Sequence, residues 1–230
     1  MIKSFLILII FSISLFSSQQ IVLVVADDFN TSNAKLEFFE GDKRLLSFNV
    51  NIGKNGLGWG LGEIELSKNP NEPLKYEGDK KAPIGIFKLT DIFGYDFSTN
   101  STMPYLHTSK ELICVDDPES NFYNHIIQAK GNEKSFEYMK RNDHQYKYGV
   151  TVAHNIMGEN KRGSCIFLHI EKNFNAPTAG CTSMKEKNLK KIITLLKKDK
   201  NPLLIQIPKR LSKEVLKLFP QLKISKILFN

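Results

Sequence analysis

The sequence predicts a mainly β protein with an α+β composition, a curved β-sandwich with a few peripheral helices. Its 41% hydrophobic and 24% charged residues are typical of a globular chain and argue against disorder. Helical spacing of apolar residues is confined to short stretches, at 132–141, 184–198 and 211–219. Short apolar runs between turn residues predict strands within 20–30, 34–53, 84–89, 111–115, 147–155, 163–170 and 202–208.

The chain of 230 residues is long enough for one domain with a substantial core. It contains no internal repeat and no linker that would separate two domains. We therefore predict three segments: a signal peptide at 1–18, a catalytic domain at 19–208 and a C-terminal helical extension at 209–230. The helix of that extension is expected to pack outside the core, where it could serve as a docking element.

The N-terminus has the pattern of a secretory signal peptide. Lys3 precedes an apolar run of twelve residues from Phe5 to Phe16, which is short for a membrane span. Cleavage is expected after Ser17 or Ser18, and the alternative is an uncleaved membrane anchor. The pattern predicts export to the periplasm or cell envelope, with no stable membrane span after cleavage.

The charge is positive, +8 for the whole chain and +7 once Lys3 is removed with the signal peptide. A basic exported protein suits an anionic envelope polymer, although a solvated lysine surface explains the same charge. The lysines are dispersed and export is predicted, so nucleic acid is not an expected partner.

Two cofactor classes are excluded by motif. The glycines at 56, 58, 60 and 62 are followed by neither G-K-[ST] nor a helical pattern, so they predict a loop between strands near a ligand and not a phosphate loop. The five histidines include no H-E-x-x-H pair, which argues against a zinc peptidase. The sequence predicts neither a metal nor a cofactor.

The stretch PTAGCTSMKEKNL, 177–189, places Cys181 where it could be a core residue, half of a disulfide or a nucleophile. Ser183 and Glu186 match the S-x-x-E capping box, which predicts a helix beginning just after the cysteine. The helix terminus would favour the thiolate. Backbone N–H groups around Gly180 and Thr182 could form an oxyanion hole.

A cysteine nucleophile needs a base, and His169 ends the predicted strand GSCIFLHI. Strand alternation places Cys165, Phe167 and His169 on one face. A second histidine ends another strand, where His154 and Asn155 either line the pocket or are structural. From these features alone, catalysis and a buried structural cysteine are equally well supported.

Longer motifs add a family resemblance. HIEKNFNAPTAGCTSM, 169–184, resembles the signature of the L,D-transpeptidase (YkuD-like) catalytic domain, with matches at His169, Thr178, Gly180 and Cys181. APIGIF, 82–87, resembles the family segment T-P-x-G-x-F with alanine in place of threonine. EGD, CVDDP, FYN, GSCIFLH and TAGCTSM are together similar to one envelope-protein branch of the family. The resemblance covers about 20–208.

The resemblance implies chemistry on peptidoglycan stem peptides. Cys181 would form a thioester with the third stem residue, a meso-diamino acid, and His169 would act as the base. An amine would resolve the thioester in a transpeptidase and water in an L,D-carboxypeptidase; a catalytically silent wall-binding module is the remaining alternative. Ala179 and Ser183 depart from the usual H-G-C-x-[RN] pattern, which makes the thiol chemistry firmer than the identity of the acceptor.

Further pocket candidates are Thr178, Asn124 and Asp117. Asp117 could bind a substrate ammonium group, although Asp-Asp-Pro at 116–118 is also ordinary turn chemistry.

The remaining cysteines are Cys114 and Cys165. If Cys181 stays free as a nucleophile, an exported protein leaves these two to pair. The alternatives are two reduced, buried thiols, or a Cys165–Cys181 bridge that would disable the enzyme.

Overall fold

The computed structural model describes residues 19–229, so the predicted signal peptide lies outside the described residues. Strands predominate, in agreement with the predicted fold class. They are β1 Gln20–Ala26, β2 Asn33–Glu40, β3 Lys43–Asn51, β4 Leu57–Trp59, β5 Ala82–Gly94, β6 Tyr105–His107, β7 Leu112–Val115, β8 Ile126–Gln128, β9 Phe136–Tyr138, β10 Tyr148–Val152, β11 Phe167–Ile170, β12 Thr182–Met184 and β13 Leu203–Pro208.

Ten strands form one curved sheet that closes on itself. Pairing runs β10-β11-β12-β3-β2-β1-β13-β5, and β5 also pairs with β10. β5 can serve both partners because it is thirteen residues long: Gly85–Lys88 pair with β13, and Leu89–Gly94 pair with β10. The closed circuit encloses the main hydrophobic core between its facing walls.

The central strand β1 explains why this sheet is stable. All seven residues of QIVLVVA are buried, which is typical of a strand covered on both faces. β1 pairs antiparallel with β2 and parallel with β13, so its backbone hydrogen bonds are satisfied on both edges. Large side chains such as Phe38 and Phe87 are fully buried in the same core, each contributing about 1.5–3 kcal/mol.

A second, three-stranded sheet has the order β8-β7-β9, and its Leu112 and Cys114 pack in one cluster with Phe93 and Phe167 of the large sheet. The helix predicted for 132–141 is wrong, because Phe136–Tyr138 form β9. Glu137 pairs with Cys114 of β7, and Tyr138 pairs with Ile113. These long-range pairings override the local helical spacing, and the aromatic residues of β9 suit a strand.

The helices are peripheral: α1 Glu186–Leu195 and α2 Ser212–Leu218, with 3-10 turns at Lys198–Lys200, Lys209–Leu211 and Pro220–Ile224. Across residues 19–229, no helix combines the length and apolar character needed to cross a bilayer.

The C-terminal extension is helical as predicted, but the prediction that it packs outside the core is wrong. Leu211, Val215 and Leu222 belong to the main core cluster. The Ser225 hydroxyl donates to the buried Glu37 carboxylate at 2.7 Å. Residues beyond 208 therefore complete the core of the domain.

The predicted capping box is also wrong. Ser183 lies in β12, where it pairs with His169 on one side and Asn51 on the other. α1 begins only at Glu186, after Lys185, and no side chain caps it. The Ser183 hydroxyl oxygen is buried without a hydrogen-bond partner among the described residues. The capping-box prediction failed because Ser183 pairs with neighbouring strands and does not lie at the start of a helix.

Candidate active site

Cys181 lies immediately before β12 and is 8% exposed. Its sulfur accepts a hydrogen bond from the Phe167 N–H at 3.3 Å, and its thiol donates to the Cys165 carbonyl at 3.4 Å. Leu168 pairs with Thr182, so Phe167 is the neighbour of Cys181 across the parallel strands. Cys181 is the free cysteine of residues 19–229.

The turn before Cys181 is held by Thr178. Its hydroxyl donates to the Cys181 carbonyl at 2.6 Å and accepts the Gly180 N–H at 3.1 Å. Gly180 has φ +154°, and a Cβ there would lie 3.1 Å from the Lys81 carbonyl. Thr182 points away from the sulfur, since its hydroxyl bonds the buried Gln206 side chain at 2.6 Å. Thr178 and Gly180 thus shape the loop that presents the cysteine.

His169 lies on the same face of the sheet as Cys181. His169 pairs with Ser183 across β11 and β12, so the two side chains share a face. Cys181 is two residues before Ser183, and side chains two residues apart in an extended segment point to the same face. The His169 ring is 95% buried, and its Nδ1 lies 2.8 Å from the Ile170 carbonyl. That contact requires the proton on Nδ1, which leaves the lone pair of Nε2 as the basic site. The thiol itself bonds Cys165 rather than the imidazole.

Burial sets the charge state of both groups. It lowers the pKa of His169 to about 4 and raises the pKa of Cys181 to about 12. At neutral pH the resting pair is therefore an uncharged thiol and an uncharged imidazole. The thiolate expected from a helix terminus at Cys181 is not supported, because α1 begins five residues later, at Glu186.

A second layer that the sequence did not indicate surrounds the pair. The Tyr146 ring contacts the His169 ring edge-on at 5.4 Å, and its hydroxyl donates to Glu137 at 2.6 Å. Arg141 lies over the Tyr146 ring at 5.0 Å and is paired with Asp143 at 2.8 Å. Glu137 lies in β9, which reaches this position through its pairing with β7. The residues around the pair are therefore brought together by tertiary contacts, and no local sequence motif indicates them.

Cys114 and Cys165 form a disulfide, the pairing expected when Cys181 stays free. It joins β7 of the small sheet to the segment that contacts the Cys181 thiol. Cys165 has φ +54° and precedes β11, so the strand is shorter than predicted, yet its side chain shares a cluster with Phe167 and Cys181. The Asn124 side chain accepts the Cys165 N–H at 2.9 Å. The disulfide and Asn124 together fix the carbonyl that meets the thiol.

His154 and Asn155 are committed to internal hydrogen bonds. His154 Nδ1 accepts the Leu61 N–H at 3.2 Å, and Nε2 lies 3.0 Å from the Arg162 carbonyl. The Asn155 amide donates to the carbonyls of Glu159 and Gly163, at 3.0 Å each. Both line cavities, but their polar atoms hold the 155–163 loop in place.

Two cavities flank that loop. The larger, of about 580 Å³, is bordered by the glycine-rich loop and includes Trp59, Gly60 and Gly62. The smaller, of about 270 Å³, is lined by both disulfide cysteines, Phe167, Asp91, Asn124, His154 and neighbouring residues, and its lining includes neither Cys181 nor His169. We assign the smaller cavity to the candidate site because its wall includes Phe167, the residue bonded to the Cys181 sulfur.

Asp117 borders neither of these two cavities. Its carboxylate accepts the Glu119 N–H at 3.0 Å, which is turn chemistry. The carboxylate that does line the smaller cavity is that of Asp91, which no sequence motif singled out.

Comparisons with known proteins were made for the sequence and the fold. A family model described as the L,D-transpeptidase catalytic domain (YkuD) matches residues 24–205. A search of curated proteins found no significant match. Among solved structures, the helical cell shape determining protein Pgp2 from Campylobacter jejuni is similar, with 14% identity and a TM-score of 0.38. The match covers 83% of this chain and 48% of the Pgp2 chain, about half its length.

Proposed function

This chain belongs to the L,D-transpeptidase catalytic-domain family, and we propose that it is an exported cysteine acyltransferase that acts on peptidoglycan stem peptides. The observation that carries the proposal is the pairing of β11 with β12, which puts Cys181 and a Nδ1-protonated His169 on one face. Thiol and imidazole on one rigid face are the minimal parts of a thiol acyl-transfer site.

The first step would be proton transfer during attack. The neutral imidazole has a free Nε2 lone pair, and the thiol begins protonated, so His169 removes the proton as sulfur approaches the carbonyl of the third stem residue. The Ile170 carbonyl would stabilise the imidazolium formed, because it accepts the Nδ1–H. The imidazolium then gives its proton to the leaving nitrogen, so the tetrahedral intermediate expels the terminal D-residue as an amine and leaves a thioester on Cys181.

Substrate binding would have to displace the resting contacts of the thiol. In the free protein the thiol is bonded to Cys165 and packed in an apolar cluster. A substrate carbonyl entering beside Phe167 would expose the sulfur to His169, and the thioester would then pass to an amine or to water.

Mass spectrometry of purified protein with tetrapeptide stems tests the proposal. Cross-linked dimers or exchange of the terminal D-residue indicate transpeptidation, whereas tripeptide alone indicates L,D-carboxypeptidase activity. If the protein is folded and stems are unchanged, the silent wall-binding module replaces the enzyme. Fractionation of cells tests export, since a full-length cytoplasmic protein contradicts it.

A further inference from the structure

The smaller cavity contains a carboxylate for which the proposed mechanism has no use. Asp91 is half-buried and lines the cavity together with Thr90 and Thr151. Among residues 19–229 no basic side chain forms a salt bridge with Asp91. A partly buried carboxylate beside a cavity, with no cation of the protein paired to it, is suited to a cationic ligand.

A β-bulge directs this group into the cavity. Val150 pairs with Ile92 and Val152 with Leu89, so both Thr90 and Asp91 lie opposite the single residue Thr151. The two threonine hydroxyls are 2.5 Å apart, and the Thr151 hydroxyl accepts the Asp91 N–H at 2.9 Å. Bulges of this kind re-aim side chains beside active sites. The result is a carboxylate and two hydroxyl groups on one short stretch of wall.

Strand register connects this group to the nucleophile. Thr151 pairs with Phe167, and Phe167 lies beside Cys181. Asp91 of β5 and Cys181, just before β12, are therefore the two ends of one row of residues across the sheet. Three steps of about 4.8 Å separate their backbones by about 14 Å along the sheet. Both residues lie on the same face, so a ligand that reaches from the nucleophile to Asp91 must be elongated.

An aliphatic side chain of lysine-like length, which ends in an ammonium group, is elongated and carries the charge that a carboxylate would bind. The rest of the cavity wall suits the methylene groups of such a chain, since it includes Ile126, Val152 and Ile166.

We propose that Asp91, assisted by Thr90 and Thr151, binds the side-chain ammonium of the stem residue whose carbonyl is attacked by Cys181. This inference rests on the proposed function and adds a specificity-determining residue to it. It replaces Asp117, the carboxylate suggested by sequence, with one from another strand.

The test compares two tetrapeptide stems that differ only at the third residue, a meso-diamino acid with its side-chain amine either free or acetylated. For each protein sample, the ratio of kcat/KM for the two peptides is measured, and this ratio does not depend on the folded fraction. The wild type should prefer the free amine by about 10- to 100-fold, the worth of a charged hydrogen bond. Asp91→Asn should bring the ratio close to one.

Asp117→Asn is the matched control, since it removes a carboxylate that serves a turn outside the cavity. It should keep the wild-type ratio. The assignment is overturned if Asp91→Asn keeps the preference, if Asp117→Asn loses it, or if the wild type does not discriminate while turning over both peptides. Failure of the wild type to turn over either peptide would instead contradict the proposed function itself.

Discussion

Two buried histidines at the ends of neighbouring strands look alike in sequence and differ in what their nitrogens do. His154 follows β10 and His169 lies in β11, and burial lowers the pKa of each to about 4. His154 uses both nitrogens, one with the Leu61 N–H and one with the Arg162 carbonyl. His169 uses only Nδ1, with no Nε2 hydrogen bond inside the described part of the chain.

The difference teaches that burial and a perturbed pKa do not identify a base. A histidine with both nitrogens satisfied fixes a loop, whereas one with a free lone pair beside a thiol can accept a proton. We therefore propose His169 as the base, whereas His154 holds the 155–163 loop in place.

The largest expected effect comes from removing the proposed base. His169→Gln keeps a polar side chain but lacks a basic nitrogen, so turnover of tetrapeptide stems should fall about 10²- to 10⁴-fold. Cys181→Ala should abolish turnover. Product formation is followed by mass spectrometry, with circular dichroism to verify folding. A folded His169→Gln protein with wild-type turnover would end the assignment.

The next largest effect concerns the disulfide, whose Cys165 contacts the Cys181 thiol through its backbone carbonyl. Cys114 and Cys165 are separated by 51 residues, and closing a loop of that length is worth about 4 kcal/mol in the chain-entropy model. The Cys114→Ser/Cys165→Ser double variant should lower the free energy of unfolding by about this amount, measured by urea titration. Unchanged stability would show that the bridge does not constrain the fold.

Acid should weaken the fold through both histidines. Their pKa is about 4 when folded against 6.5 when unfolded, so between these values the unfolded chain binds more protons. The free energy of unfolding should therefore fall as pH drops from about 6.5 to 4, by at most about 3 kcal/mol per histidine. Urea titrations across this range measure the slope, and equal stability at both ends would contradict the two buried, neutral rings.

His154→Gln should separate structure from chemistry. The loss of its paired hydrogen bonds should lower the free energy of unfolding by about 1–3 kcal/mol, while turnover per folded molecule falls far less than in His169→Gln. The change in urea midpoint and the kcat are measured on the same sample. A kcat loss as large as that of His169→Gln would make the two histidines functionally equivalent.

Most of the strands could be predicted because a short apolar run between turn residues is a signal contained in the local sequence. β1 and β13 were predicted in this way. Local signals gave the wrong structure where pairing with distant residues determined it. Within 132–141, predicted as a helix, the structure has strand β9 paired with β7, and Ser183, predicted as a helix cap, lies in β12. Asp91 could not be singled out, since its role depends on a bulge opposite Thr151.

The most direct test of the central claim is the identity of the acylated residue. Wild-type protein is mixed with a tetrapeptide stem, quenched in acid within one turnover and analysed by intact-mass and peptide mass spectrometry. The account predicts a tripeptide acyl group on Cys181, much reduced in His169→Gln and retained in His154→Gln. An acyl group on another residue, or steady turnover through an unmodified Cys181, would contradict it.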